Sequence, residues 1–159
     1  MIKAQAFAAV RGNLMLQGCD DAEISRLAEI CEERQMAEGT TIFIENMPGE
    51  SLFLIRKGSV RISRMFAEGD EKTLATLGPG EVFGEMAIID GMPRAATARV
   101  AAAVELISLR KKDFEGLCQS DPALALKLVV NLVRDFSKRT REAGDEYRDM
   151  LIWSLQGGN

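Results

Sequence analysis

The spacing of apolar and polar positions changes period twice along this chain. Up to about residue 35 apolar side chains recur three and four apart, at Ile24, Leu27, Ala28 and Cys31. That spacing predicts an amphipathic helix with Asp20 or Asp21 as its N-cap. From Gly39 the period drops to two, and short apolar runs at 41–44, 51–56, 59–65, 72–77, 97–103 and 104–109 predict strands. Met47-Pro48-Gly49, Lys57-Gly58-Ser59, Glu68-Gly69-Asp70 and Gly78-Pro79-Gly80 break them with turn chemistry, at the intervals of an antiparallel barrel or jelly roll. Beyond Arg110 the helical period returns. It predicts a short helix over 112–119 and a long one after Ser120-Asp121-Pro122, where Ser120 or Asp121 can cap and proline suits the first turn. The expected architecture is α+β: N-terminal helices over 1–36, an antiparallel β-roll (a jelly-roll-like double-stranded β-helix) over 37–110, and C-terminal helices over 111–155.

The last helix carries a second pattern. Leu126, Val129, Val133, Phe136, Thr140, Ala143, Tyr147 and Met150 alternate spacings of four and three, an a/d seam that fits a partner helix and predicts a homodimer. The stripe can instead dock on the protein's own roll, as the neighbouring Leu128 and Leu132 do in part. Gly144 costs about 1 kcal/mol against alanine in a helix interior. A hinge there would leave 145–155 as a separate terminal helix.

Composition narrows the chemistry. A length of 159 residues suits one domain with one core. Apolar residues make up 47% and charged residues 28%, and no stretch approaches the roughly 20 apolar residues of a membrane span. The N-terminus offers one lysine before a short apolar run and no cleavage site, so a cytoplasmic protein is expected. Cys19, Cys31 and Cys118 form an odd set without a CxxC pair, which suggests neither a disulfide framework nor a zinc site. Histidine is absent, which removes the commonest general base and metal ligand and argues against an enzyme. The net charge of −4 and the lack of a basic tail argue against direct DNA binding.

The segment 83–100 interrupts the strands with one helical turn of apolar residues, Met86 to Ile89, a turn at Asp90-Gly91, and then Arg94. Gly84 leaves backbone amides open to close approach, and the start of a helix presents N–H groups to an anion. Arg94 can return across that helix and offer a planar fork to phosphate oxygens. A carboxylate at Glu85 would repel a phosphate unless the same ligand supplied it with a donor, and a ribose hydroxyl is such a donor. Together the three residues describe a phosphate joined to a sugar. Taken singly, each has a plainer reading: Arg94 as a surface arginine, or as an ion-pair partner of Glu85.

The run Gly84-Glu85-Met86-Ala87 with Pro93-Arg94-Ala95-Ala96-Thr97 resembles the phosphate-binding cassette of the cyclic nucleotide-binding domain family, in the form found in regulatory subunits of cyclic AMP-dependent protein kinase. The likeness extends through Leu52-Phe53-Leu54-Ile55, Gly58-Ser59-Val60 and Leu77-Gly78-Pro79-Gly80 to Asp113-Phe114, covering roughly residues 20–140. It implies that Glu85 accepts the ribose 2′-hydroxyl and Arg94 holds the equatorial phosphate oxygens. The N–H groups of Ala87 and Ala95 would complete the anion site. The implied ligand-contacting set is Phe83, Gly84, Glu85, Met86, Ala87, Arg94, Ala95, Ala96 and Thr140.

Where this family prefers cyclic GMP, a hydroxyl residue often follows the arginine. Here Ala95 stands in that place, which implies cyclic AMP. The base would be capped from the last helix by Thr140 with Arg139 beside it, as in bacterial sensors of the catabolite activator type, or by Tyr147 or Trp153, as in kinase-type lids. The family likeness thus implies a sensor signalling through its C-terminal helix to an unidentified protein effector. Bacterial relatives usually continue into a helix-turn-helix, whereas here Gly157-Gly158-Asn159 closes the sequence and no such element is expected. The alternatives are a nucleotide-free fold kept for dimerisation, against which Glu85 and Arg94 speak, and a cupin-like enzyme, for which the lack of histidine and of a clustered carboxylate triad leaves no metal site to propose.

Overall fold

A computed structural model describes residues 2–156 of the chain; Gly157-Gly158-Asn159 lie outside the described residues. Two short 3-10 segments, Ala4–Val10 and Leu14–Leu16, lead into α1 (Asp21–Ile30). Of the two candidate caps, Asp20 is the one used. It accepts from the Glu23 N–H while the Glu23 carboxylate accepts from the Asp20 N–H, a reciprocal capping box.

The helix ends sooner than its composition suggests, because Cys31–Met36 forms β1. Cys31 is extended, at φ −96° and ψ 159°, and the segment pairs antiparallel with β6 (Thr97–Arg110) from Cys31↔Leu109 to Met36↔Val104. The ladder outweighs the weak helical preference of these residues. An ion pair from Arg56 Nη1 to Glu33 Oε1 at 2.9 Å ties β1 to Ser51–Ala67, the strand on the other side of β6.

The remaining strands are β2 (Thr41–Phe43), β3 (Ser51–Ala67), β4 (Asp70–Leu77), β5 (Val82–Phe83) and β6 (Thr97–Arg110). Two pairs of expected short strands merge into the single long strands β3 and β6. Gly58 does not break β3; the register shifts on either side of it, as at a bulge, because it approaches the Ala103 carbonyl too closely for any side chain. The sheet runs β1-β6-β3-β4, with β2 added on β6 and β5 on β3, all pairings antiparallel. This is the β-roll expected from the sequence.

Period-two alternation divides the core in two. Leu52 and Leu54 on β3, with Ile107 and Leu109 on β6, face the helices, where they join Phe7, Leu27, Leu124 and Leu128. Phe53 and Ile55, with Val104 and Leu106, face the roll's interior beside Val60, Phe83 and Val100. Truncating one of these fully buried side chains, such as Leu54→Ala, costs about 2–5 kcal/mol.

After α3 (Lys111–Ser120), Asp121 accepts from the Leu124 N–H and caps α4, with Pro122 in its first turn. This helix runs without interruption from Pro122 to Leu155, so Gly144 makes no hinge and 145–155 is not a separate element. The glycine's helical cost is spread over the good helix formers around it, and no proline follows to break the ladder. Leu124, Leu128 and Leu132 bury one face of α4 on the body of the protein. Asn131, itself buried, donates to the Met15 and Gln17 carbonyls at 2.9 Å each and ties the N-terminal segment to α4. Asn13 in turn donates to the Gly80 carbonyl. No described helix is long and apolar enough to cross a membrane.

Candidate functional site

The interruption foreseen between the strands is α2 (Glu85–Asp90), held between β5 and β6. Gly84 caps it with φ 77° and ψ 8°, a left-handed conformation that glycine takes without penalty. A Cβ there would stand 2.7 Å from Arg94 Nη1 and 3.1 Å from the Ser51 carbonyl oxygen. Glycine is therefore required by both backbone and space.

Arg94 is 6% exposed, unusual for an arginine. Its Nη1 donates to the Gly84 carbonyl at 3.0 Å and its Nη2 to the Ser51 carbonyl at 2.8 Å. The guanidinium carbon lies 4.0 Å from the centroid of the Phe43 ring, a cation–π contact at the end of the cluster Phe43, Phe53 and Phe83. Nε is buried and has no partner among the described residues. Burial lowers the pKa of this guanidinium, and the charges of Glu50 and Glu85 partly offset the fall. An arginine remains protonated under such a shift. It is a buried cation whose hydrogen bonds are only partly met.

Glu85 begins α2 beside it. Burial pushes its carboxyl pKa above the ordinary value, with Asp135 adding to the rise; its own N–H and the charges of Arg139 and Arg94 oppose it. Arg139 reaches this carboxylate from α4. Its Nη1 lies 3.8 Å from Glu85 Oε1, while Nη2 bonds the Val82 carbonyl at 3.1 Å and Asp135 at 2.7 Å. One guanidinium thus joins the last helix to the strand and the carboxylate at the cavity.

Phe83, Gly84, Glu85, Met86, Ala87, Arg94, Ala95 and Ala96 all line one cavity of about 190 Å³. Thr140 does not. It is exposed, and its hydroxyl donates to the Phe136 carbonyl one turn back. Successive helix residues point about 100° apart, so the face that carries Arg139 to the cavity turns Thr140 away. Tyr147 and Trp153 stand further along α4, both more than half exposed. The sequence reading missed four cavity walls, Phe43, Ile62, Ala75 and Leu77. Their signal was only that of inward-facing strand positions, shared with the rest of the roll. It also missed Gly49, which it took as a turn residue. A Cβ there would collide with Ala87 and come within 2.8 Å of Arg94 Nε.

An antiparallel roll enclosing a buried cation and a partly buried carboxylate belongs to the small-ligand-binding β-rolls. The chain belongs to the cyclic nucleotide-binding domain family, whose sequence model matches residues 33–121, more than half of its length. It is 34% identical over 134 residues to the cyclic AMP receptor protein of Thermus thermophilus, covering 84% of this chain and 60% of that protein. A cyclic nucleotide-binding domain from Methylobacillus flagellatus superposes with a TM-score of 0.82 at 25% identity, over 90% of this chain and 83% of that one. The N-terminal domain of a transcriptional regulator from Streptomyces coelicolor gives a TM-score of 0.73 at 30% identity, over 85% and 94%. The chain spans 60–62% of the length of the receptor protein and of a Mycobacterium tuberculosis regulator that it also matches.

Proposed function

We propose that this chain is a sensor that binds a cyclic nucleotide, cyclic AMP in preference to cyclic GMP, between α2, the loop carrying Arg94, and α4. The observation that carries the reading is Arg94: a buried guanidinium beside the partly buried carboxylate of Glu85, with Nε unpartnered among the described residues. A buried polar group left without a partner costs about 1–3 kcal/mol, and a phosphate oxygen supplies the missing acceptor. Glu85, ionised, accepts the ribose 2′-hydroxyl. The amides of Ala87 and Ala95 complete the anion site, and Gly84 and Gly49 leave room for Arg94 beside it. The roll's apolar walls at Ile62, Ala75 and Leu77 suit the base.

The preference for cyclic AMP rests on two supports. Ala95 offers no hydroxyl to the guanine amine, and the Thermus thermophilus relative is a cyclic AMP receptor. Arg139 replaces Thr140 as the residue of α4 that meets the ligand within one protomer, since it already contacts Glu85. Through Arg139 a ligand on Glu85 biases the position of α4, and α4 carries the signal.

The same helix forms a homodimer. Leu126, Val133, Phe136, Tyr147 and Met150 are each more than half exposed along its seam. The quartets Val133-Arg134-Asp135-Phe136, Thr140-Arg141-Glu142-Ala143 and Tyr147-Arg148-Asp149-Met150 recur at intervals of seven, the period of a left-handed supercoil.

Calorimetric titration of cyclic AMP and cyclic GMP into the wild type, Arg94→Ala and Glu85→Ala tests the reading. The wild type binds cyclic AMP and both variants lose it. No wild-type binding at about 100 μM ligand, near 5.5 kcal/mol of affinity, overturns the proposal.

A further inference from the structure

Arg94 is held by contacts of two kinds. Its Nη1 and Nη2 donate to the Gly84 and Ser51 carbonyls, and the N–H bonds of a guanidinium lie in its plane. A planar group held only along its edge can still hinge about the line that joins its two acceptors. The Phe43 ring removes that freedom, because it covers the face of the group with its centroid 4.0 Å from Cζ. Two bonds in the plane and one contact on the face fix the plane, and with it the direction of Nε, which has no partner among the described residues.

The chain folds so as to bring this ring there. Between Thr41↔Arg99 and Phe43↔Ala98, two steps along β2 match one step along β6, as at a bulge. A bulge re-aims side chains. Strict alternation would send one of Ile42 and Phe43 outward, yet both pack against the core cluster of the roll's interior. Phe83 and Phe53 hold the ring at centroid separations of 5.9 and 6.3 Å. Its edge lies beside Gly84, where a Cβ would stand 3.4 Å from Cε2, and with Gly84 and Arg94 it lines the cavity. A leucine could fill the same space. It offers a cation no negative π face, and such a face counts for most where the cation is desolvated, as the buried Arg94 is.

We infer that Phe43 is a positioning residue for the anion site: its ring holds the Arg94 guanidinium in one plane before any ligand arrives, so that the arginine meets a phosphate without first losing rotamer freedom. The plainer role of the ring, filling the aromatic cluster with Phe53 and Phe83, accounts for its packing but not for its place over Cζ. The ordering of Arg94 is a property of the free protein. Its consequence for affinity rests on the cyclic nucleotide reading proposed above.

The test compares the wild type with Phe43→Tyr, which keeps the π face, and with Phe43→Leu and Phe43→Met, two shapes without one. Urea unfolding checks the fold of each variant. In the ligand-free proteins, nitrogen-15 relaxation of the Arg94 Nε–H group should give an order parameter of about 0.8 for the wild type and Phe43→Tyr, and below about 0.6 for Phe43→Leu and Phe43→Met. Calorimetry should show cyclic AMP affinity about tenfold lower in Phe43→Leu and Phe43→Met and little changed in Phe43→Tyr. The two phosphorothioate diastereomers of cyclic AMP separate positioning from packing. Sulfur is a weak acceptor, so the wild type should bind the form with equatorial sulfur more weakly than the form with axial sulfur. This discrimination should shrink in Phe43→Leu and Phe43→Met, whereas a loss of packing alone would weaken both forms alike. An equally ordered Arg94 in all the proteins, a loss of affinity in Phe43→Tyr equal to that in Phe43→Leu, or undiminished discrimination overturns the inference. A wild type that binds no cyclic AMP overturns the nucleotide reading instead, and the order parameters alone then decide whether Phe43 holds Arg94.

Discussion

Gly49→Ala is the most discriminating single substitution, because its effect follows from contacts rather than from conformational preference. Gly49 does not sit in the left-handed region, so alanine fits its backbone and on that ground alone stabilises by about 0.4–1 kcal/mol. The added methyl, however, would collide with Ala87 Cβ and stand 2.8 Å from Arg94 Nε and 3.0 Å from its Cζ. The guanidinium cannot swing aside without releasing the Gly84 and Ser51 carbonyls, and Ala87 can move only with α2. Overpacking of this kind costs about 1–3 kcal/mol, and with the backbone gain subtracted the net loss expected lies between about 0 and 2.6 kcal/mol. Because the displaced atoms are those assigned to the phosphate, cyclic AMP affinity should fall about tenfold or more, the worth of one weakened charge-assisted hydrogen bond. Urea unfolding of the ligand-free protein measures the first effect and calorimetry the second. Gly78→Ala is the control, since a Cβ there meets nothing within 4 Å and no left-handed φ is involved. If Gly49→Ala matched Gly78→Ala in midpoint and the wild type in affinity, the packing of Gly49 against Ala87 and Arg94 would be refuted.

Glu85→Gln links stability to pH. Below about pH 4.3 both folded and unfolded chains hold the Glu85 proton. As the pH rises the unfolded chain ionises first, so the folded state loses stability until the pH passes the raised folded value, above which the loss is constant. The glutamine variant should accordingly be more stable than the wild type at neutral pH and equal to it in acid, while binding cyclic AMP about 30-fold more weakly for want of about 2 kcal/mol. Denaturant midpoints across that range check the first point. Ala95→Ser should raise cyclic GMP affinity by about 1–2 kcal/mol and leave cyclic AMP little changed, as competitive titration would show. Phe136→Glu/Tyr147→Glu puts two carboxylates into the proposed α4 seam, and sedimentation should show a dimer for the wild type and a monomer for the variant. Gly144→Ala lies in a continuous helix with open space around it, and should stabilise by about 1 kcal/mol without altering nucleotide affinity.

The roll was legible because its strands alternate and its turns carry glycine and proline. β1 was not, because Cys31–Met36 is a polar segment whose extended conformation comes from the β6 ladder, a partner some 70 residues away in sequence. Merged strands are hidden for a related reason: Gly58 reads locally as a turn, and only the approach of Ala103 turns it into a bulge. At the site, Gly84, Glu85 and Arg94 were readable because their chemistry is local to one segment. Arg139 and Thr140 were not separable, since adjacent residues share every sequence signal and differ only in helical angle. Gly49 and the aromatic cluster depend on contacts between segments distant in sequence, which no local pattern records.

Continuity of α4 gives the molecule a lever. Asn131 pins the helix at the Met15 and Gln17 carbonyls, and 24 residues, or about 36 Å at 1.5 Å each, separate that fulcrum from Leu155. A tilt of about 10° at the fulcrum sweeps the far end through about 6 Å, slightly more than one helical turn. Arg139 lies 8 residues, or about 12 Å, from the same fulcrum, so a displacement of about 2 Å at its contact with Glu85 would correspond to that sweep at the tip.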